Sequence, residues 1–131
     1  MVKKWIVILS ILILLIAACV SEYFYVNKTF EYLHRELVYF EEQIKQNEEN
    51  IDTQENINYI KDLHEKWNKK VDGLKAVIWH TGTKDIEIGL GRIEVYVGEN
   101  DFKEAMAELV SLIDYVEHYK DEFTITIENL L

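Results

Sequence analysis

The sequence predicts an all-α protein in which a long N-terminal membrane helix continues into a small antiparallel bundle of three or four helices. Proline is absent and all five glycines lie at position 73 or later, so the first 72 residues contain neither strong helix breaker. Apolar residues recur at helical spacing through most of the remaining chain. An apolar run over residues 5–20 is interrupted only by Ser10.

That apolar run predicts a segment that spans a membrane. A spanning helix needs about 20 mostly apolar residues, and aromatic residues at positions 23–25 extend the run where amphipathic rings favour the lipid headgroups. Lys3 and Lys4 precede the run, and basic residues before a first span favour a cytoplasmic N-terminus. We therefore expect a single-pass protein of the cell membrane, embedded in the bilayer through residues 5–25, with its C-terminal domain outside.

Cys19 gives the same segment a second interpretation. Small residues before a cysteine, here Ala17 and Ala18, are typical of a bacterial lipoprotein signal, which is cleaved before the cysteine and lipidated on its sulfur. An uncleaved anchor is favoured because the helical pattern continues after the run without a polar tether. Under either interpretation, residues 1–26 direct the chain to the membrane and residues 27–131 form an external domain.

The external part of the chain is strongly acidic. All 24 acidic residues follow position 21, against 12 of the 14 basic residues, so this part carries a net charge of −12. A surface of this sign repels phosphate backbones, which argues against nucleic acid as a partner. It suits cations or a basic protein face, and it also keeps a small domain soluble without any partner. Cys19 is the single cysteine, so the external part has no internal disulfide.

Evenly spaced apolar residues predict the first two helices. The first is predicted over residues 4–45, and its external part carries a stripe of alternating four- and three-residue spacing: Val26, Phe30, Leu33, Leu37, Phe40 and Ile44. Asp52 and Glu55 have the spacing of a capping box, which predicts the start of a second helix. That helix is predicted to end near His80, before a turn at residues 81–83. Its stripe comprises Ile57, Ile60, Leu63 or His64, Trp67, Val71, Leu74 and Ile78.

Residues 85–97 fit two patterns. Alternating apolar positions around Gly91 and Arg92 are typical of a β-hairpin, whereas helical spacing relates Ile86, Leu90, Ile93 and Val97. Because two strands alone are marginally stable and the chain offers no third, we predict a helix. Asp101 and Glu104 form a second candidate capping box, ahead of a final helix with a stripe of Phe102, Ala105 or Met106, Leu109, Ile113 and Val116.

No catalytic or cofactor motif stands out. His64-Glu65 opens like a zinc-protease helix motif, but Asn68 occupies the position of the second histidine. Glu31-x-x-His34 has the spacing of half a di-iron site, and no other helix supplies the second half. We therefore predict no enzyme activity, no cofactor and no metal ligand.

Several short motifs are spread along the external part: Trp67, Ile78-x-His80, Ile93-Glu94-x-Tyr96-Val97, Val116-Glu117-His118 and Ile127-Glu128-Asn129-Leu130. Together they resemble a family of short bacterial proteins of unknown function, in which an N-terminal membrane segment precedes a small helical outer domain. The resemblance implies a helix over residues 85–97 and implies no activity, since the family has none assigned. It also singles out four residues of unknown role: Trp67, His80, His118 and Asn129.

The anchor, the bundle pattern and the lack of catalytic motifs favour one function. We predict an extracytoplasmic helical module that binds another protein or serves as a structural component of the cell envelope. The alternative is a helical bundle that binds a small molecule or a metal ion in its core, where helix bundles commonly build such sites.

Overall fold

The protein consists of four helices and contains no strand within the part of the chain that is described. The computed structural model describes the backbone of residues 1–74 and 80–130, and the side chains of residues 1–72, 82–119 and 121. The helices are α1 (Val2–Lys45), α2 (Gln54–Leu74), α3 (His80–Gly98) and α4 (Phe102–Leu130). The all-α prediction is therefore confirmed, as is a helix over residues 85–97.

The helices form a bundle in which each packs against two neighbours. α1 packs against α2 and α4, and α3 packs against the same two helices. Short connections between successive helices make neighbours antiparallel, which is the arrangement of an up-down-up-down bundle. Only the second part of α1 takes part, because its first buried residue is Val26. The first 22 side chains of the protein are all exposed.

Burial follows the predicted apolar stripes. Every predicted stripe residue of α1 from Val26 to Ile44 is buried. On α3 the buried residues are Ile86, Leu90, Ile93 and Val97, whereas Ile88 and Val95 are 43% and 55% exposed. A strand would place Ile86, Ile88 and Leu90 on one face, while a helix turns Ile88 away from its neighbours. The helical stripe explains this burial pattern and the alternating one does not.

Phe30 lies at the centre of the aromatic part of the core. Its ring meets Trp67 of α2 edge-on at a centroid distance of 5.7 Å, and Tyr119 of α4 at 5.2 Å. Aromatic pairs at such distances stabilise a core beyond the apolar area that they bury. A single side chain of α1 thus joins three of the four helices.

The predicted boundary between the second and third helices is wrong. α2 ends at Leu74 and α3 begins at His80, so residues 81–83 are helical rather than a turn. The glycine at position 82 has a packing role instead: a Cβ there would lie 2.5 Å from the Tyr119 ring. Gly82 therefore permits close approach of α3 and α4. Ile78, predicted to continue the stripe of α2, lies outside the described residues.

The predicted cap of α2 is also wrong by one residue. The Thr53 hydroxyl accepts a hydrogen bond from the Asn56 N–H at 3.2 Å, and the Thr53 carbonyl accepts one from the Ile57 N–H at 3.0 Å. Thr53 is therefore the N-cap, and this leaves Asp52 and Glu55 out of register for a capping box.

The cap predicted for α4 is confirmed in one of its two bonds. Asp101 Oδ1 accepts a hydrogen bond from the Glu104 N–H at 3.2 Å. The Asp101 N–H donates to the Tyr96 carbonyl at 2.9 Å. In a full capping box, the Glu104 side chain would accept a hydrogen bond from the Asp101 N–H. Here the Tyr96 carbonyl, near the end of α3, accepts that hydrogen bond instead.

Asn100 closes the end of the bundle that lies far from the apolar segment. Its φ of 58° places it in the left-handed region, which asparagine tolerates better than most residues. Its Nδ2 donates to the Glu49 carbonyl at 2.9 Å, and its Oδ1 accepts from the buried Ile51 N–H at 2.8 Å. The Asn56 side chain donates to the Ile51 carbonyl at 3.1 Å. The α1–α2 connection is thus held to the α3–α4 turn by side-chain hydrogen bonds.

Candidate functional site

Most of the large apolar side chains that are exposed in the described part of the chain lie in the N-terminal part of α1. None of its 18 most apolar consecutive residues is buried against the bundle. Exposed apolar surface of this extent is typical of a membrane segment or of an interaction site. Length and composition are consistent with a single-pass membrane anchor, and a signal sequence near the N-terminus has the same properties.

The polar groups within this segment suit an apolar environment. The Ser10 hydroxyl donates to the Ile6 carbonyl at 2.7 Å, so the one polar side chain of the run is paired within its own helix. The Cys19 side chain is exposed on the same segment. Tyr23 and Phe24 pack edge-to-face at 5.8 Å where the segment meets the bundle. α1 passes through this junction without interruption.

A histidine–carboxylate pair lies between α2 and α3. His64 Nδ1 is 3.0 Å from Glu94 Oε2, and both side chains are partly buried. The His64 ring faces Gly91, where an added Cβ would lie 3.7 Å from His64 Cε1. Since a carboxylate only accepts hydrogen bonds, Nδ1 carries the proton in this pair.

Two buried nitrogens on α2 have no hydrogen-bond partner among the described residues. They are His64 Nε2 and Trp67 Nε1. Trp67 is 1% exposed and packs against Phe30. Positions three residues apart lie on the same side of a helix, so both nitrogens belong to the inner face of α2. Native proteins leave few buried polar groups unpaired, which marks this part of the core as a candidate binding site.

The contact between α1 and α2 is rich in tyrosine. The Tyr59 hydroxyl donates a hydrogen bond to the Glu36 carboxylate, and its ring stacks on Phe40 at a centroid distance of 5.4 Å. Burial raises the pKa of Tyr59 well above its usual value of 10, and the bond to Glu36 raises it further. Lys70 Nζ lies 4.1 Å from the centre of the Tyr32 ring. The Tyr59 hydroxyl therefore keeps its proton at neutral pH, and these contacts hold α2 to α1.

Ion pairs on the other seams are exposed. His34 Nε2 lies 4.0 Å from Glu117 Oε2 between α1 and α4, and Arg92 Nη1 lies 3.5 Å from Glu108 Oε1 between α3 and α4. Exposed pairs of this kind contribute little to stability. His34, the histidine of the half di-iron motif, meets the carboxylate of Glu117, and no group of three or more metal-ligating side chains occurs among the described residues.

The four residues singled out by the family resemblance do not form one site in the described structure. Trp67 is buried in the core, whereas His118 is exposed on α4, where it has an interaction partner. The side chains of His80 and Asn129 lie outside the described residues. Sequence reasoning missed the pairing of His64 with Glu94, although Glu94 lies within one of the quoted motifs.

Comparison with known proteins places the chain in a family. Searches of curated proteins and of solved structures gave no match. The sequence profile described as Domain of unknown function (DUF4363) matches residues 22–130, which begin just after the apolar run and include the whole bundle. This match confirms the expected resemblance to a family of unknown function. Because the profile covers most of its sequence, the chain belongs to the DUF4363 family.

Proposed function

We propose that this protein is a membrane-anchored helical module of the cell envelope that faces outward and binds another protein or stabilises an envelope complex. The observation that supports the proposal most is the continuity of α1, which carries both the exposed apolar segment and one of the four bundle helices.

A continuous helix suits a module that holds a partner at a set position. The 44 residues of α1 extend about 66 Å at about 1.5 Å per residue. Neither glycine nor proline occurs in it, so nothing in the helix favours a sharp kink. Movement of the membrane segment is therefore transmitted to the bundle.

The bundle surface favours a protein partner. The part of the chain after position 21 has a net charge of −12, which repels nucleic acid and anionic lipid. A few large apolar side chains are exposed on three helices of the bundle: Val38, Tyr39, Ile88, Val95 and Val110. Single exposed apolar residues are normal on protein surfaces, so they serve here as probe positions rather than as a defined interface.

Photo-crosslinking in intact cells tests the interaction. A photoreactive amino acid is placed at Val38, Val95 or Val110 of the full-length chain, and at Leu12 within the apolar segment as a control. We expect one recurring protein adduct from a bundle position that does not form from Leu12. Equal recovery of abundant membrane proteins from all four positions would contradict the proposal.

The mode of attachment has its own test. The mass of the full-length protein extracted from membranes distinguishes an uncleaved anchor, near the 15.6 kDa of the intact chain, from a lipoprotein that begins at Cys19 and carries acyl groups. Recovery of an unlipidated, cleaved chain outside the membrane would overturn membrane anchoring itself.

A further inference from the structure

Charge is distributed unevenly along the bundle. At the end far from the apolar segment, residues 41–55 and 99–104 contain nine acidic and two basic residues. At the end next to the apolar segment, residues 25–35 of α1 and 66–70 of α2 contain five basic residues and one acidic residue. Lys28 and Glu42 are about 21 Å apart along α1, and charges are largely screened beyond about 8 Å at physiological ionic strength. The net charge therefore does not describe the end next to the apolar segment.

Two of these basic residues share one aromatic ring between α1 and α2. Lys70 Nζ lies 4.1 Å from the centre of the Tyr32 ring, and Arg35 Cζ lies 5.9 Å from it. A cation over a tyrosine ring is held in place but keeps its charge, because the ring is neutral. Neither Lys70 nor Arg35 forms an ion pair with a described residue. Two uncompensated positive charges thus lie together at this contact.

Helical spacing extends the pair into a basic strip, which consists of Lys28, Arg35, Lys66 and Lys70. Lys28 is four residues before Tyr32, and Lys66 is four residues before Lys70, so each lies one turn away on the same side of its helix. Lys28 and Lys66 are exposed and form no ion pair within the described part of the chain. The strip therefore continues along both helices.

Carboxylates lie beside the strip without closing it. Glu36 accepts a hydrogen bond from the Tyr59 hydroxyl, and Glu31 is exposed on α1. On α4, exposed acidic residues occur towards the same end of the bundle, and among the described residues α4 packs against α1 and α3 but not against α2. The end next to the apolar segment is therefore basic on the side of α1 and α2 and acidic on the side of α4.

We propose that the basic strip binds the phosphate groups of anionic lipids in the leaflet from which the bundle projects. Arg35 offers paired N–H donors that match phosphate oxygens, and the lysines add positive charge. Continuity with the apolar segment favours a lipid over a dissolved phosphate compound, because Tyr32 lies only about 10 Å along α1 from residue 25. The inference rests on the membrane anchoring proposed above and is independent of a protein partner.

Native mass spectrometry of the full-length protein tests the strip. The protein is released from micelles that contain equal amounts of phosphatidylglycerol, which is anionic, and phosphatidylcholine, which has no net charge. We expect wild type to retain more phosphatidylglycerol. Lys28→Gln/Lys70→Gln should lose this preference, because each basic residue near a bilayer surface strengthens binding of anionic lipid about fivefold. Lys61→Gln/Lys103→Gln removes the same charge from exposed positions outside the strip and is the matched control.

The outcomes separate the strip from general charge and from folding. An unchanged preference in Lys28→Gln/Lys70→Gln, or an equal loss in Lys61→Gln/Lys103→Gln, would overturn the proposal. Lys28→Gln alone changes an exposed residue with no described side-chain contact, so it should fold as wild type does and still lower the preference about fivefold. Glycerol phosphate is added as a soluble headgroup. If it abolished the preference, a dissolved phosphate compound would replace lipid as the occupant.

Alkaline extraction of wild-type membranes distinguishes failure of this inference from failure of the proposed anchoring. Release of the chain into the soluble fraction would overturn both. A chain that stays in the membrane but retains the two lipids equally would overturn the lipid site alone. Membrane retention together with a preference for phosphatidylglycerol that depends on Lys28 and Lys70 would support the proposal.

Discussion

The two parts of α1 belong to one helix but have opposite relations to their surroundings. Residues 2–22 are apolar on almost every side and all exposed, whereas residues 26–45 bury one stripe and expose charged residues around it. A helix that is apolar all round needs lipid or protein on every side, while an amphipathic helix needs one apolar neighbour. The comparison shows that the same backbone serves two environments, and that side-chain pattern alone determines which one each part requires.

The largest effect expected from this comparison is a loss of bundle stability. Phe30→Ala removes a fully buried ring that contacts Trp67 and Tyr119, and we expect it to lower the free energy of unfolding by about 3–5 kcal/mol. Phe24→Ala, six residues earlier and 57% exposed, is the control and should leave bundle stability nearly unchanged. Chemical unfolding in micelles, followed by tryptophan fluorescence, measures both. Equal destabilisation by the two variants would remove the distinction between the two parts of α1.

A charge in the first part should act on membrane insertion and not on the bundle. Leu12→Arg introduces a group that disfavours insertion by about 2.5–3.5 kcal/mol at the centre of a span. We expect less protein in the membrane fraction after alkaline extraction and the same unfolding midpoint for the protein that is recovered. Leu12→Ile is the matched control, and normal membrane recovery of Leu12→Arg would argue that residues 2–22 do not span a bilayer.

Asn100 allows hydrogen bonding to be compared with apolar packing within the bundle, because it stabilises the end far from the apolar segment through side-chain hydrogen bonds. Asn100→Gly keeps the left-handed backbone accessible but removes both side-chain bonds, and leaving the buried Ile51 N–H unpaired should cost about 1–3 kcal/mol. Asn100→Ala should cost about 1 kcal/mol more, because alanine resists positive φ. Thermal unfolding measures the two variants, and equal stability would show that φ at this position carries no strain.

The smallest effect concerns the contact between Tyr59 and Glu36. Tyr59→Phe removes a partly exposed hydrogen bond, which we expect to cost about 1 kcal/mol at neutral pH. The raised pKa of Tyr59 means that the folded state holds its proton more tightly than the unfolded state does. Its contribution is therefore complete below about pH 10, the usual tyrosine pKa, and decreases as pH rises further. The difference in unfolding free energy between wild type and Tyr59→Phe should shrink above that pH, and a constant difference would contradict the assignment.

Much of the fold was predictable because burial follows apolar spacing. The stripe of α1 and the choice of a helix over a hairpin both came from residues whose spacing matches the buried face of a helix. The caps were harder to place because Asp52 and Thr53 both have side chains that cap helices, and local backbone geometry decides between them. Gly82 was misjudged because a glycine that permits helix contact looks the same in sequence as one that permits a turn.

The candidate site was less predictable than the fold. His64 could be assigned to the inner or outer face of its helix, but its partner Glu94 is 30 residues away, and their meeting depends on the register of α2 against α3. The absence of a partner for the Trp67 indole within the described structure depends on three-dimensional packing and has no signal in sequence. Such long-range pairings require the tertiary structure.

The continuity of α1 also couples the tilt of its apolar segment to the position of the bundle. Membrane-spanning helices are tilted by about 20° on average from the bilayer normal, and the part of α1 within the bundle extends about 30 Å at 1.5 Å per residue. A span tilted by that amount would carry the turn around Asn100 sideways by about 10 Å relative to an upright one. A change in lipid thickness or in packing around the span would thus alter the reach of the bundle across the membrane surface, without any change in the bundle itself.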